Sequence, residues 1–165
     1  MAVNRGKQFE EQIRKAFEKI PNTTVTRLID PQNGYAGVRN ICDFIIYHYP
    51  YQYFIECKSC HGNTFPFSNV TQNQWDGMLE MSKTDGVIAG VIVWFIDHDS
   101  TYFLSIELLN KLKECGCKSV HYYPDWVAEV PDCDNLWNHI VGKKKQILFD
   151  YDLTDFIRRL DLWDR

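Results

Sequence analysis

Three ionisable residues, Asp43, Glu56 and Lys58, lie in two β-forming runs and are the first candidates for chemistry. Alternate residues of a strand face the same side, so Glu56 and Lys58 project together while Ile55 and Cys57 turn to the other face. The runs Ile41 to Tyr47 and Gln52 to Ser59 flank a short connection containing Pro50, which reads as an antiparallel hairpin. If it closes symmetrically about Tyr49-Pro50, Tyr47 pairs with Gln52, Ile45 with Phe54, and Asp43 falls opposite Glu56. Opposed residues have Cβ atoms about 4.5–5.5 Å apart. Two carboxylates that close repel each other unless one is protonated or a cation lies between them. Mg²⁺ fits such a site, because it takes one or two protein carboxylates together with waters and phosphate oxygens. The bound ion would polarise a phosphate and help generate hydroxide, while Lys58 could position the water and stabilise developing charge. The same spacing also suits a sheet face on which Asp43, Glu56 and Lys58 form structural ion pairs, and spacing alone leaves both readings open.

The elements that must position these groups follow from hydrophobic period. Residues from Arg5 to Ile20 read as an amphipathic helix with Phe9, Ile13, Ala16, Phe17 and Ile20 on one face and Pro21 ending it. At 100° per residue Glu10 lies on the edge of that face and Glu11 on the opposite side. Thr23 to Ile29 suits a strand, Asp30-Pro31-Gln32-Asn33-Gly34 a turn, and the chain is irregular through Arg39. After the hairpin, Gln72 to Ser82 reads as helix, Gly86 to Ile96 as an apolar strand buried on both faces, Thr101 to Ser105 as strand and Ile106 to Glu114 as helix. Cys115 to Val141 has no clean period. Gln146 to Tyr151 reads as strand and Leu153 to Leu162 as a closing helix. The order implies an α/β fold with a mixed central sheet flanked by helices, in one domain spanning residues 1–165.

A 45% hydrophobic share with many aromatics excludes a disordered chain, and no internal repeat is present. The start has no apolar signal core and the longest apolar run is too short to span a bilayer, so a cytoplasmic location is expected, with the six cysteines reduced. The formal charge of −4 runs against a nucleic-acid partner, unless basic residues are concentrated on one face.

Asp43 followed by Glu56-Cys57-Lys58, after a helix opening Gly6-Lys7-Gln8-Phe9-Glu10, resembles the PD-(D/E)xK nucleases with their restriction endonuclease-like fold. Within that superfamily the chain looks most like the RecU-type Holliday-junction resolvases of bacteria and their phages. The likeness includes Asn4-Arg5-Gly6, the thirteen-residue step from Asp43 to Glu56, Phe65-Pro66-Phe67 followed by Gln74, Asp85-Gly86 before an apolar strand, Tyr102-Phe103-Leu104, and Asp150-Tyr151 before a helix. It implies a homodimer in a bacterial or phage-infected cell that resolves four-way DNA junctions in recombination and repair by paired cuts, with Mg²⁺ or Mn²⁺ and one site per subunit. It also implies that Asp43, Glu56 and Glu10 hold metal, and that Gln74 stands near the scissile phosphate. Cys42 replaces the motif's proline, and the segment before Asp43 is shorter than the projecting stalk of these resolvases. Asn33 to Gly37, with Arg27 and Arg39 around it, could be a reduced stalk. A restriction- or repair-type nuclease on duplex DNA and a noncatalytic DNA- or zinc-binding module are the competing readings.

Arg5 and Lys7 beside the first helix, with Arg27 and Arg39, are candidates for DNA backbone contact. Lys143-Lys144-Lys145 suits either phosphate contact or a solvated turn before a strand. Cys57 and Cys60 with His61, and Cys115 and Cys117 with His121, are weaker candidates for zinc, because mid-strand Cys57 is more simply a small core residue. Tyr47, Tyr49, Tyr51 and Tyr53 suit hairpin packing better than base stacking.

Overall fold

The computed structural model describes residues 5–28, 40–122, 137–140, 142–145 and 148–160. Along the chain run α1 (Arg5–Glu18), β1 (Thr23–Arg27), β2 (Phe44–His48), β3 (Tyr51–Cys60), β4 (Thr64–Pro66), α2 (Gln72–Met81) and β5 (Val87–Phe95). They are followed by β6 (Ser100–Ser105), α3 (Ile106–Glu114), β7 (Ser119–His121), β8 (Trp137–Ile140), β9 (Gly142–Lys145), β10 (Leu148–Tyr151) and α4 (Thr154–Leu160). Six strands form the central sheet in the order β1-β2-β3-β5-β6-β8, and β4-β7 and β9-β10 form two small ribbons. Among the described strands only β3 and β5 run parallel within the central sheet, so it is mixed, as the sequence implies.

Strand alternation sorts the core into two layers. Tyr51, Tyr53, Ile55 and Cys57 of β3 join Phe9, Ile13, Ala16 and Phe17 of α1 and Phe156 and Ile157 of α4 on one face. Phe54 and Cys60 of β3 join Trp75 and Met78 of α2 and Leu108, Leu109 and Leu112 of α3 on the other. β5 sits between β3 and β6 and covers both faces, so its run of apolar residues needs no polar alternation. Each fully buried large side chain, such as Phe17 or Phe103, contributes roughly 1.5–3 kcal/mol.

The β2–β3 register pairs Tyr47 with Gln52 and Ile45 with Phe54, as the symmetric closure requires. β2 begins at Phe44 rather than Ile41. The tyrosines divide: Tyr51 and Tyr53 are buried, whereas Tyr47 and Tyr49 are exposed. In the open segment 115–141 the structure places β7 and β8, and residues 123–136 lie outside the described residues, as does Arg39. Lys143 to Lys145 are not a turn, because they form β9 and pair with Leu148 to Asp150 of β10. Lysine has little β-propensity, so cross-strand pairing rather than local preference sets this ribbon. No described helix is long and apolar enough to cross a membrane.

Gly90 lets β5 and β6 approach closely. A Cβ there would lie 2.4 Å from the backbone oxygen of Leu104 and 2.7 Å from the ring of Phe103. Gly90→Ala should therefore destabilise the fold by about 1–3 kcal/mol through overpacking, read as a lower urea midpoint. An unchanged midpoint would show that these strands separate freely.

Candidate active site

Asp43 lies one residue before β2, yet its backbone is held on both sides. Its N–H donates to the Ile55 carbonyl at 3.1 Å, and its own carbonyl accepts from the Leu28 N–H at 2.9 Å. The paired register ends at Phe44 with Ile55, and Asp43 follows at the mouth of the hairpin beside Ile55 and Cys57. Asp43 Oδ2 also accepts the Cys57 N–H at 2.8 Å, which brings the Asp43 carboxylate against the middle of β3.

Glu56 is only 2% exposed in this central strand. Its Oε1 accepts from Lys58 Nζ at 2.7 Å and from Gln74 Nε2 at 2.7 Å. Its Oε2 is buried with no hydrogen-bond partner among the described residues. Such an atom normally costs about 1–3 kcal/mol, and more on a charged group, unless a ligand satisfies it. Burial first, and then the nearby charge of Asp43, push the Glu56 carboxyl up to about 7, against the pull of Lys58 and Gln74. A divalent cation at Oε2 would offset both effects, so the residues present fit a metal that takes few protein ligands.

The helix α2 brings Gln74 to this point. Thr71 caps it, and Gln74 occupies the third helical position in a reciprocal capping box. Several contacts fix α2 relative to its neighbours. Trp75 Nε1 donates to Asn110 Oδ1 of α3 at 3.2 Å, Lys113 lies over the Trp75 ring, and Asn73 Nδ2 donates to the Asn40 carbonyl at 3.1 Å. Gly77 lets the helix press on Ile41, whose Cγ2 would lie 2.3 Å from any Cβ at that position. The segment leading to Asp43 is thus clamped beneath α2.

Glu10 is not gathered with Asp43 and Glu56 into one ligand group. Among the described residues no three His, Cys, Asp or Glu side chains converge closely enough to hold an ion. Glu10 Oε2 instead accepts from Arg27 Nη2 at 2.8 Å. Its carboxyl is raised by burial and by the charge of Asp43, which places Glu10 within electrostatic reach of the site. Arg5 and Lys7 are exposed on the first turns of α1. Arg27 is partly exposed but already carries an acidic partner.

The zinc pairing is not formed. Cys57 lies in the core layer under α1 and Cys60 in the layer under α2 and α3, so they face opposite sides of the sheet. Burial pushes the Cys60 thiol up to about 11 and that of Cys57 well above its usual value, which disfavours the thiolate a metal needs. His61 bonds Asp97, and His121 bonds Thr64. Thr71 is the part of the site that the sequence reading missed, although Thr71-x-x-Gln74 is a capping-box signature.

Comparison with known proteins gives this geometry a family. The profile described as "Recombination protein U" matches residues 19–126, well over half of the sequence. The chain belongs to the Recombination protein U family. The family match takes in Arg27, Asp43, Glu56, Lys58, Thr71 and Gln74, and leaves Glu10 outside. Among solved structures the chain is similar to Archaeoglobus fulgidus Hjc, described as a Holliday junction resolvase from an archaeal hyperthermophile. The identity is 16%, the TM-score 0.46, and the alignment covers 62% of this chain and 78% of that one. No curated protein matches.

For this Recombination protein U family member the raised Glu56 carboxyl has a measurable consequence. The folded chain holds that proton more tightly than the unfolded chain, so the ionised form costs stability. The cost is absent below the ordinary value of 4.5 and is complete once pH has risen past about 7. At about 1.4 kcal/mol per pKa unit, the whole effect is at most about 3.5 kcal/mol. Without metal, wild type should lose on the order of 2 kcal/mol more than Glu56→Gln between about pH 5 and about pH 8 in urea unfolding. Parallel pH profiles would show that Glu56 carries no such cost.

Proposed function

We propose that this chain is a Mg²⁺-dependent endodeoxyribonuclease that resolves four-way DNA junctions, with Mn²⁺ able to substitute. The observation that carries the reading is the buried Oε2 of Glu56, without a partner among the described residues, near Asp43 and with Lys58 on the same strand face. Membership of the Recombination protein U family supports the junction as substrate. By resemblance to the resolvases the enzyme acts as a cytoplasmic homodimer in a bacterial or phage-infected cell, each subunit cutting one of two opposed strands.

Asp43 and Glu56 would hold the metal, which when bound supplies Lewis acidity to the scissile phosphate and a more acidic water. Lys58, already 2.7 Å from Glu56, carries positive charge on the face where phosphate must approach and stabilises negative charge developing there. Gln74 holds Glu56 Oε1 and so leaves the buried Oε2 for the metal. Glu10 flanks the site as a carboxylate neutralised by Arg27, rather than as a direct ligand. Arg5 and Lys7 are assigned to the DNA backbone, giving local positive charge to a chain of net charge −4, with Arg27, which is paired to Glu10, and Arg39 as further candidates.

Cleavage of a labelled four-way junction, linear duplex and single strand of one sequence tests the reading. Wild type should make paired, symmetric nicks in the junction. Lys58→Ala should cut about 100- to 1,000-fold more slowly, and Asp43→Asn should lose at least as much. Junction affinity in Asp43→Asn should not weaken, because a negative charge facing phosphate is removed. Full activity in Asp43→Asn would overturn the mechanism, and equal cutting of all three DNAs would make the enzyme a general nuclease.

A further inference from the structure

The Thr71–Gln74 turn does more than start a helix. Gln74 Oε1 accepts from the backbone N–H of Thr71 at 3.0 Å, and Gln74 Nε2 donates to Glu56 Oε1 at 2.7 Å. The reversed amide is excluded, since its NH₂ would face the Thr71 N–H, donor to donor, and its oxygen would face the Glu56 carboxylate. The Thr71 N–H therefore selects which end of Gln74 meets Glu56. Gln74 and Lys58 then both load Oε1, and Oε2 is left without a partner among the described residues. We infer that the backbone N–H of Thr71 is a positioning group that, through Gln74, presents Glu56 Oε2 to the metal. This rests on the proposed metal-dependent reading of the site.

The side chain and backbone of residue 71 have separable tasks. The hydroxyl accepts the Gln74 N–H at 3.3 Å and caps the helix, while the backbone N–H orients the Gln74 side chain. Thr71→Val removes the first and keeps the second. Thr71→Pro removes both, and the backbone at Thr71 (φ −66°, ψ 155°) and at Val70 (φ −100°, ψ 119°) already suits proline and the residue before it. The two variants thus lose the same side-chain cap and differ in the N–H.

The test is Mn²⁺ binding to the full-length, DNA-free protein by calorimetry, alongside junction cleavage. Thr71→Val should stay within about threefold of wild type, and Thr71→Ser should match it more closely. Thr71→Pro should bind Mn²⁺ on the order of 10- to 100-fold more weakly, the usual loss when a residue supporting a metal ligand is removed. Equal effects of Val and Pro would overturn the inference while wild-type binding and cleavage left the proposed function standing. If wild type neither bound Mn²⁺ nor cut DNA, the proposed function would fail and metal presentation with it. A wild-type NMR measurement stands even if Thr71→Pro does not fold. The inference expects a Thr71 amide protected from solvent exchange and a Gln74 side-chain NH₂ with two distinct, protected resonances. Free exchange at both would refute it.

Discussion

A carboxylate buried in the middle of a mixed sheet is an expensive feature, and the arrangement around Glu56 is built to accommodate it. One oxygen receives two donors, Lys58 and Gln74, and the other receives none among the described residues. The acidic group across the hairpin makes matters worse, since Asp43 raises the cost of ionising Glu56. The Asp43 carboxylate also satisfies the Cys57 N–H, but its charge works against the Glu56–Lys58 pair. A bound cation would offset that repulsion, as the proposed reading requires.

Much of the surrounding fold can be understood as support for that contact. Hydrogen bonds to Leu28 and Ile55 hold Asp43 between the strands flanking β2, and the close approach of Gly77 to Ile41 keeps the preceding segment under α2. Trp75 ties α2 to α3, so the helix bearing Gln74 is braced from behind. The buried strand β5 supplies the parallel edge that fixes Glu56 and Lys58 in register. The aliphatic and aromatic layers on both faces keep water from the strand and thereby give the local charges their strength.

The hairpin register was legible in the sequence, because a period of two and a short turn leave one symmetric closure; the paired register ends at Phe44, and the Asp43 carboxylate bonds the Cys57 N–H beyond it. The helices at 72–81 and 106–114 were legible too, through their helical character, although the Thr71 and Ser105 caps that start them were not read from the sequence. Less could be read where tertiary pairing overrides local preference, as in the lysine-rich β9. The position of Glu10 also escaped spacing, since helical phase tells which side of α1 it occupies but not that Arg27 reaches it from β1. Cys57 and Cys60 show the opposite case. A three-residue step along a continuous strand reverses the face, so a motif that would gather thiols in a loop separates them here.

The central claim is that Asp43 and Glu56 share a divalent cation through the bare oxygen of Glu56. Its most direct test is an anomalous-scattering map from crystals of the wild-type protein grown with Mn²⁺. The account predicts one peak in contact with Glu56 Oε2 and the Asp43 carboxylate, absent from Glu56→Gln crystals grown identically. Mn²⁺ bound elsewhere, or a structure in which Lys58 and neighbouring donors satisfy both Glu56 oxygens with no ion present, would contradict it.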